Sequence, residues 1–517
     1  MQFNSVEYIL VFLPLLLLAY HGLAARLGRV FRQLLLIAAT LVFYAWGGAK
    51  FVPLLLGSIV LNYAAALIIE KAATTPARQH VLLLLAVAAN IVFLGYFKYL
   101  NFLADIWTSL AGGTLRVEHI ALPLGISFFT FQQIGFLVEV SRGRQGAGKP
   151  LDYASFVLFF PQILAGPITQ YGEIVPQLRE RMARGTVAPA IQIGLALFAI
   201  GLFKKTVIAD TLALYASPAF EAARGGGPLG FLDTWLSAFA YTGQVYFDFS
   251  GYSDMAIGTA RMFGLILPLN FHSPLRSQSV VEIWRRWHVT LGRWIQAYVF
   301  QPISIPLARR AAMADYGKWG TLALSVIAPT MISMLIVGVW HGAGWPFVVF
   351  GLMQGTYMSV NETWTAIRRK ARKGRKGPRA FWKVALSRLA TTLAFVLSII
   401  PFGQPTMADA NRMFAAMIGA GDGFLVASSE WPLGTGAAFV IVGLIYASLF
   451  VMPNSNQIMD RFEPVLEWSK RWRKLEPAGD KLVWKMTPGW AILTGMTLFL
   501  GFAFIMRGTA KFIYFNF

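Results

Sequence analysis

Long apolar runs, separated by short charged loops, dominate the hydrophobic pattern of this chain. A run of about 18 or more apolar residues is typical of a transmembrane helix, and the first, YILVFLPLLLLAYHGLAA, occupies residues 8–25. Further apolar runs, some of them shorter, lie at about 34–47, 51–69, 81–97, 189–203, 321–340, 345–360, 384–402, 435–452 and 489–506. We therefore predict an all-α, polytopic integral membrane protein with about eleven transmembrane helices.

Three more apolar segments contain residues that break or weaken helices. They are 120–139, 152–167 and 232–264, interrupted by Pro123, Pro161, Pro167 and several glycines. Irregular backbone at membrane depth is tolerated only where it is buried in protein or lines a cavity. We expect these segments to form re-entrant or tilted helices.

The composition supports a membrane protein and locates its charge. Of the 517 residues, 56% are hydrophobic and 13% are charged, whereas a soluble domain carries about 25% charged residues. The net charge of +21 is concentrated in short loops, most clearly RRKARKGRK at 368–376. Because Lys and Arg accumulate in cytoplasmic loops, we predict that this loop contacts anionic lipid headgroups and not nucleic acid.

The sidedness of the chain follows from its basic loops. If 368–383 is cytoplasmic, the next helix exits, and counting onward places the C-terminus outside. Arg26, Arg29 and Arg32 follow the first helix, which puts the N-terminus outside as well. The prediction is an integral membrane protein with both termini on the outer, periplasm-like face.

Several classes of chemistry have no support in the sequence. The chain has no cysteine, which excludes disulfides, a thiol nucleophile and thiolate metal sites. It has no G-x-S-x-G, P-loop or H-E-x-x-H motif, so hydrolase, ATPase and metalloprotease functions lack a motif. We expect no metal site.

The stretch SVVEIWRRWHVTLGRW, residues 279–294, combines aromatic, basic and imidazole side chains. In a single helix, Trp284, Trp287, His288 and Leu291 would share one face, and Glu282 would pair with Arg286. The alternative interpretation is an interfacial helix with an aromatic belt. A histidine on the apolar face, however, requires a polar partner.

The stretch VGVWHGAGWPFVVFG, residues 337–351, ends an apolar run with His341 among small residues. An ionisable residue in a span suggests function by default, and a neutral histidine is a suitable general base. Small neighbours let a ligand or another backbone approach. The alternative is a helix–helix hydrogen bond through the imidazole.

Two further stretches have unusual residues in apolar surroundings. VYFDFSGYSDMAIG, residues 245–258, contains Asp248 and Asp254, whose alternative role is to cap helix ends around Gly251. FFPQILAGPI, residues 159–168, has two prolines that frame a glycine and should bend the chain within the membrane.

Together these four stretches resemble the membrane-bound O-acyltransferase family, and specifically its bacterial polysaccharide branch, to which alginate O-acetylation belongs. The opening NSVEYILVFLPLLLLAYHGL, the stretch LVFYAWGG and the ending FIYFNF are similar to that branch too. The resemblance implies a single domain over 1–517, with a catalytic core at about 152–351, an extracytoplasmic tail at 507–517, and helices arranged around a central tunnel.

The resemblance also implies a reaction and its participants. Family members pass an acyl group from a cytoplasmic thioester donor to a hydroxyl, and in this branch the group reaches an extracytoplasmic polysaccharide through periplasmic acetyltransferase partners. The donor would be acetyl-CoA, with no bound cofactor. His341 matches the near-invariant histidine and would be the general base. His288 matches the second histidine and would position the acyl group or stabilise the oxyanion.

Other predicted site residues have supporting roles. Trp287 and Trp340 would shape a dry channel. Asp248, Tyr252 and Asp254 would build the scaffold of the site. Asn270 and Arg276 lie between the motifs and would line the donor entrance.

The tail contains Tyr514, for which two interpretations exist. In a related branch that transfers D-alanine to wall polymers, a small partner peptide resembling this tail offers a C-terminal tyrosine as acyl carrier. Tyr514 would then carry the acetyl group to a periplasmic transferase. The alternative is an aromatic anchor at the membrane interface.

The sequence leaves the acceptor open and departs from the branch at one place. Where the branch has an Arg-Asp pair and a double glycine, this chain has Gln296, Ala297, Ser304 and Ile305. The polymer is therefore alginate, cellulose, peptidoglycan or another exopolysaccharide. A lipid or protein acceptor is a further alternative, as is a transporter or flippase that uses the histidines as proton relays.

Overall fold

The computed structural model describes residues 1–112, 120–180, 182–372, 380–426, 431–476, 482–508 and 512–513. Contacts divide the chain into two compact units. Unit 1 comprises Met1–Thr206, Ser250–Leu269 and Ser455–Thr509, and unit 2 comprises Val207–Phe249, Asn270–Asn454 and Ala510–Phe517. Within the described ranges the regular structure is helical, without a β-strand, which confirms the all-α prediction.

The main helices of unit 1 come mostly from the first 206 residues. They are Leu13–Leu18, Arg29–Gly48, Val52–Lys71, Pro76–Ala111, Ile126–Ser141, Pro150–Val157, Phe160–Ile163, Tyr171–Arg179, Arg184–Phe203, Ser455–Ile458 and Pro488–Ile505. The long helix Phe231–Met262 supplies its C-terminal part to this unit.

Unit 2 contains the middle of the chain. Besides the first part of Phe231–Met262, its main helices are Asp210–Gly225, Val280–Arg286, Val289–Ile295, Gln301–Met313, Gly317–Leu322, Ala328–His341, Trp345–Arg372, Phe381–Gly403, Met407–Met417 and Gly434–Val451.

Seven helices in the described part of the chain are long and apolar enough to cross a membrane. They are Arg29–Lys71, Pro76–Ala111, Gly185–Gly225, Gly317–His341, Phe381–Gly403, Gly434–Val451 and Pro488–Ile505. In the first, a 3₁₀ turn at Ala49–Phe51 separates two 20-residue helices, each about 30 Å long. The protein is therefore a multi-pass membrane protein, while the number of about eleven helices stays a prediction.

The bend predicted at 152–167 is present and is buried. The helix Pro150–Val157 ends before Phe160–Ile163 begins. At the break, the Thr40 hydroxyl accepts from the Phe160 N–H at 3.0 Å. Its one hydrogen is shared between the carbonyls of Leu36 at 2.7 Å and Leu158 at 3.1 Å. One side chain thus satisfies two backbone groups that the interrupted helix leaves open.

The interruption predicted at 232–264 is wrong, because Phe231–Met262 is one continuous helix. Its glycines serve close packing. A Cβ atom at Gly251 would lie 2.7 Å from the Gly201 carbonyl oxygen, and one at Gly258 would lie 2.5 Å from that of Gly194. Small residues let two membrane helices approach at backbone distance, so these glycines fix a helix crossing within unit 1.

A buried polar network joins four consecutive helices of unit 1. The amides of Asn62 and Asn90 exchange hydrogen bonds of 3.2 and 2.7 Å. Gln133 donates to the Ser58 hydroxyl at 2.9 Å and accepts from the Tyr153 hydroxyl at 3.1 Å. Because polar groups buried among apolar helices need partners, this network ties these helices together.

Candidate active site

His288 lies at a break between two short helices, not on a helix face. The helix Val280–Arg286 ends before it and Val289–Ile295 begins after it. The prediction of one helix with Trp284, Trp287, His288 and Leu291 on one face is therefore wrong. The predicted pairing of Glu282 with Arg286 is present at 2.8 Å.

Hydrogen bonds from a neighbouring segment explain the break. The Asn270 carbonyl accepts from the Val289 N–H at 2.9 Å, and the His272 N–H donates to the Arg286 carbonyl at 2.9 Å. His288 itself has φ +42°. A non-glycine residue with positive φ stores local strain of about 1–3 kcal/mol and is held by surrounding structure, a pattern that clusters at functional sites.

The imidazole of His288 is fully buried, and its Nδ1 lies 2.9 Å from Oδ1 of Asn270. The Thr290 hydroxyl donates to the same Oδ1 at 2.9 Å. Because an amide oxygen is an acceptor, Nδ1 carries the ring proton in this arrangement and Nε2 is the acceptor nitrogen. Burial lowers the pKa of His288 to about 3, so the ring is neutral at physiological pH.

His341 is the last residue of the apolar helix Ala328–His341, as predicted, and is 5% exposed. Its ring contacts Phe350 and Phe402, with centroid distances of 5.9 and 5.2 Å. The adjacent Gly342 lies so close to the Phe347 ring that a Cβ atom would overlap it. Glycine at position 342 thus leaves room for the Phe347 ring beside His341.

Trp340 connects the two histidines within unit 2. Its ring centroid lies 4.9 Å from that of His341 and 6.1 Å from that of His288. The indole is 4% exposed. Tertiary structure therefore brings together two imidazoles that are 53 positions apart in the chain, around one aromatic side chain and away from water.

Trp287 belongs to a different aromatic group. Its ring packs against Phe395 at 5.1 Å, Phe271 at 5.2 Å and Tyr246 at 6.0 Å. The Trp287 indole therefore packs within a cluster of aromatic side chains of unit 2.

Asp248 lies in the middle of Phe231–Met262, and so does Asp254, so their alternative role as helix caps is wrong. In unit 2, the Asp248 carboxylate accepts a 2.9 Å hydrogen bond from the Ile513 N–H. The neighbouring Phe249 contacts the His288 ring at 4.7 Å and the Phe512 ring at 6.0 Å. Tyr514 lies outside the described residues.

The two remaining scaffold residues belong to unit 1. Asp254 forms an ion pair with Lys204 at 2.8 Å, so its charge is compensated within the protein. Tyr252 is 2% exposed and packs on Phe3 with ring centroids 4.9 Å apart. Both side chains stabilise packing in that unit.

Arg276 caps a helix in unit 2. Its Nε donates to the Leu449 carbonyl at 2.6 Å, and its guanidinium also contacts the Met452 carbonyl, at the end of Gly434–Val451. A cation at a helix C-terminus satisfies open carbonyls and opposes the helix dipole. The predicted role at a donor entrance stays a prediction.

Three residues at the site were not singled out from the sequence. Phe249 follows Asp248 directly, and Thr290 lies two positions after His288. Their place within the quoted motifs is the only feature of the sequence that points to them. Phe402 lies 61 positions after His341 and reaches it only through packing of the helix Phe381–Gly403.

The chain is similar to several known proteins. The model of the membrane-bound O-acyltransferase family matches residues 80–400. A peptidoglycan O-acetyltransferase of Helicobacter pylori is 38% identical over 71% of this chain and 72% of its own length. A probable alginate O-acetylase of Azotobacter vinelandii is 37% identical over 82% of this chain and 79% of its own.

A more distant relative is a teichoic acid D-alanyltransferase of Streptococcus thermophilus, 27% identical over 54% of this chain and 68% of its own. The family match covers the helices that hold both histidines, and the relatives with the higher identities are named as acetyl-transferring enzymes. This multi-pass membrane protein is an O-acyltransferase and belongs to the membrane-bound O-acyltransferase family.

Proposed function

We propose that this enzyme takes an acetyl group from cytoplasmic acetyl-CoA and delivers it across the bacterial inner membrane for O-acetylation of an extracytoplasmic polysaccharide, with Tyr514 as an acetyl carrier. One observation carries the proposal. The Phe249 ring contacts both the His288 ring and the Phe512 ring, so the chain two residues before Tyr514 packs on the same side chain as a site histidine.

The first transfer converts the donor thioester into an ester of Tyr514. The Tyr514 phenol oxygen forms a bond to the acetyl carbonyl carbon, the carbon–sulfur bond breaks, and coenzyme A leaves as a thiol. His341, as a neutral base, takes the phenolic proton and passes it to the leaving sulfur. The product is an aryl ester, whose phenolate is a better leaving group than an alkoxide. A second hydroxyl then takes the acetyl group and the phenol is restored.

His288 has a positioning role in this proposal. Its Nδ1–H is directed at Asn270 and its burial disfavours a second ring proton. A neutral ring in this tautomer has no hydrogen on Nε2 to offer an oxyanion. Holding the acyl group or the attacking hydroxyl in place is therefore the better supported of the two roles predicted for it. The buried Trp340 ring lies beside both histidines and keeps water out of this part of the site.

The acceptor is inferred from the relatives. Alginate is named for the Azotobacter relative and peptidoglycan for the Helicobacter relative, at nearly equal identity. We propose a polysaccharide acceptor reached through periplasmic acetyltransferase partners, with peptidoglycan as the second candidate. The basic loops support placing both termini in the periplasm, where a loaded Tyr514 would meet a partner.

Mass analysis of purified protein given labelled acetyl-CoA tests the proposal. Cleavage after Lys511 releases residues 512–517, and this peptide should carry one acetyl group. The label should be lost in Tyr514→Phe and His341→Ala but kept in the matched control Tyr316→Phe, which alters an exposed tyrosine of unit 2.

Three results would contradict parts of the proposal. Donor turnover that needs His341 but leaves the tail unlabelled would overturn the carrier and leave the acetyltransferase. Labelled alginate or peptidoglycan in the presence of Tyr514→Phe would also overturn the carrier. No consumption of acetyl-CoA, even with periplasmic extract, would overturn acetyl-CoA as the donor and leave the O-acyltransferase family assignment.

A further inference from the structure

Asp248 is a buried carboxylate that contacts the far end of the chain. It is 1% exposed, and its Oδ2 accepts the Ile513 backbone N–H at 2.9 Å, across 265 positions of sequence. A carboxyl oxygen can accept such a bond in either protonation state. A buried carboxylate also needs such donors to offset its desolvation. The two groups therefore stabilise each other.

The tail residues at this contact are buried as well. Phe512 is 1% exposed and Ile513 is 5% exposed. The Phe512 ring packs on Phe249, the residue after Asp248. Chain ends fray unless they are tied down. Two consecutive residues of one helix therefore hold the tail. Asp248 bonds to the main chain of the tail, and Phe249 packs on one of its side chains.

From this geometry we infer that Asp248 is a positioning residue that anchors the C-terminal segment at Ile513 and so presents Tyr514 for acetyl transfer. The inference rests on the proposed function, in which Tyr514 is the carrier. Asp248 contacts a backbone N–H, so the anchoring depends on that hydrogen and not on the Ile513 side chain. It follows that Ile513→Val preserves the anchor, whereas Ile513→Pro removes the donor.

A labelling experiment measures the anchoring without any acyl chemistry. The chain has no cysteine, so Asn516→Cys places a single thiol in the tail of the full-length protein. We expect Asp248→Ala to raise the maleimide labelling rate by about tenfold, the effect of leaving one buried N–H donor unsatisfied. Asp248→Asn, which keeps an oxygen acceptor, should give a smaller increase.

Asp233→Ala is the matched control for general loosening. Asp233 lies on the same helix, is also 1% exposed, and accepts a backbone N–H, that of Val426, at 2.6 Å. It should leave the labelling rate unchanged. Ile513→Pro tests the bond from its other end without changing the helix, and combining it with Asp248→Ala should add little to either variant alone.

A second readout follows the chemistry. In single turnovers with labelled acetyl-CoA, Asp248→Ala should slow acetylation of the 512–517 peptide by about tenfold. The donor concentration for half-maximal rate should not change, because the donor is not what Asp248 holds. A general structural defect would instead alter both quantities and would appear in Asp233→Ala too.

The outcomes separate this inference from the proposed function. Equal labelling rates in wild type and Asp248→Ala, or equal increases in Asp248→Ala and Asp233→Ala, would overturn the anchoring. Faster labelling in Asp248→Ala with no acetyl group on the wild-type tail would support the anchoring and overturn the carrier role of Tyr514. Normal tail acetylation in Asp248→Ala would overturn the positioning role.

Discussion

The Oδ1 atom of Asn270 lies 2.9 Å from Nδ1 of His288 and fixes the orientation of a fully buried imidazole. Asn270→Ala removes this acceptor atom, to which the Thr290 hydroxyl also donates. We expect acetyl transfer to fall about 10- to 100-fold, since an unsatisfied buried donor costs about 1–3 kcal/mol. The donor KM should change little, as measured by steady-state turnover of acetyl-CoA.

Thr290→Val is the matched control for this prediction. It removes the second donor to Oδ1 but leaves the bond between Asn270 and His288. Its activity should stay within a few fold of wild type. Equal losses in the two variants would show that Asn270 acts through the Thr290 contact and not through His288.

Stability should depend on pH through His288. Burial lowers its pKa from the ordinary 6.5 to about 3, so between these values the unfolded chain binds a proton that the folded protein does not. The contribution of this histidine to the stability of the folded protein is therefore fully present above pH 6.5 and is lost as the pH falls toward 3. In His288→Gln, the thermal unfolding midpoint in detergent should fall less steeply from pH 6.5 to pH 4. Parallel slopes would contradict the burial of a neutral ring.

Trp340 should matter for the reaction more than for folding. Trp340→Leu removes an indole that contacts both histidine rings, and we expect kcat to fall about tenfold or more, because misplaced catalytic groups lose their preorganisation. Trp319→Leu, which alters a tryptophan that is 52% exposed, should retain activity. Wild-type turnover in Trp340→Leu would exclude a site between these histidines.

The glycines of the long helix give a stability prediction with an internal control. At Gly258 a Cβ atom would lie 2.5 Å from the Gly194 carbonyl oxygen, whereas at Gly495 it would meet open space. Gly258→Ala should destabilise the protein by about 1–3 kcal/mol through overpacking. Gly495→Ala should be neutral or stabilise it by roughly 0.5–1 kcal/mol. Thermal unfolding in detergent measures both, and a stable Gly258→Ala would contradict the close crossing.

The charge distribution predicts sidedness. In a chain without native cysteines, Arg26→Cys should be protected from a membrane-impermeant maleimide in intact cells, because it lies in the basic segment 26–32, which is predicted to be cytoplasmic. Phe424→Cys lies after the helix Phe381–Gly403, which is predicted to exit the cytoplasm, so it should react; its parent side chain is 68% exposed. Reaction at Arg26→Cys would reverse the predicted orientation.

The hydrophobic pattern determined the fold class and most helices. Runs such as 81–97 and 384–402 lie within the helices Pro76–Ala111 and Phe381–Gly403. In lipid the backbone N–H and C=O groups must hydrogen-bond within the protein, and a long apolar run achieves this as an α-helix. The motifs likewise pointed to both histidines, since an ionisable side chain among apolar membrane residues indicates a function.

Tertiary contacts decided where local preference was weak or was overridden. The helix expected at 279–294 breaks at His288 because backbone groups of the 270–272 segment bond to both sides of it. The glycines expected to interrupt 232–264 instead pack against another helix. Trp340 meets His288, and Ile513 meets Asp248, across long stretches of sequence. Such pairings depend on which faces pack together in three dimensions, and periodicity along one segment carries no information about them.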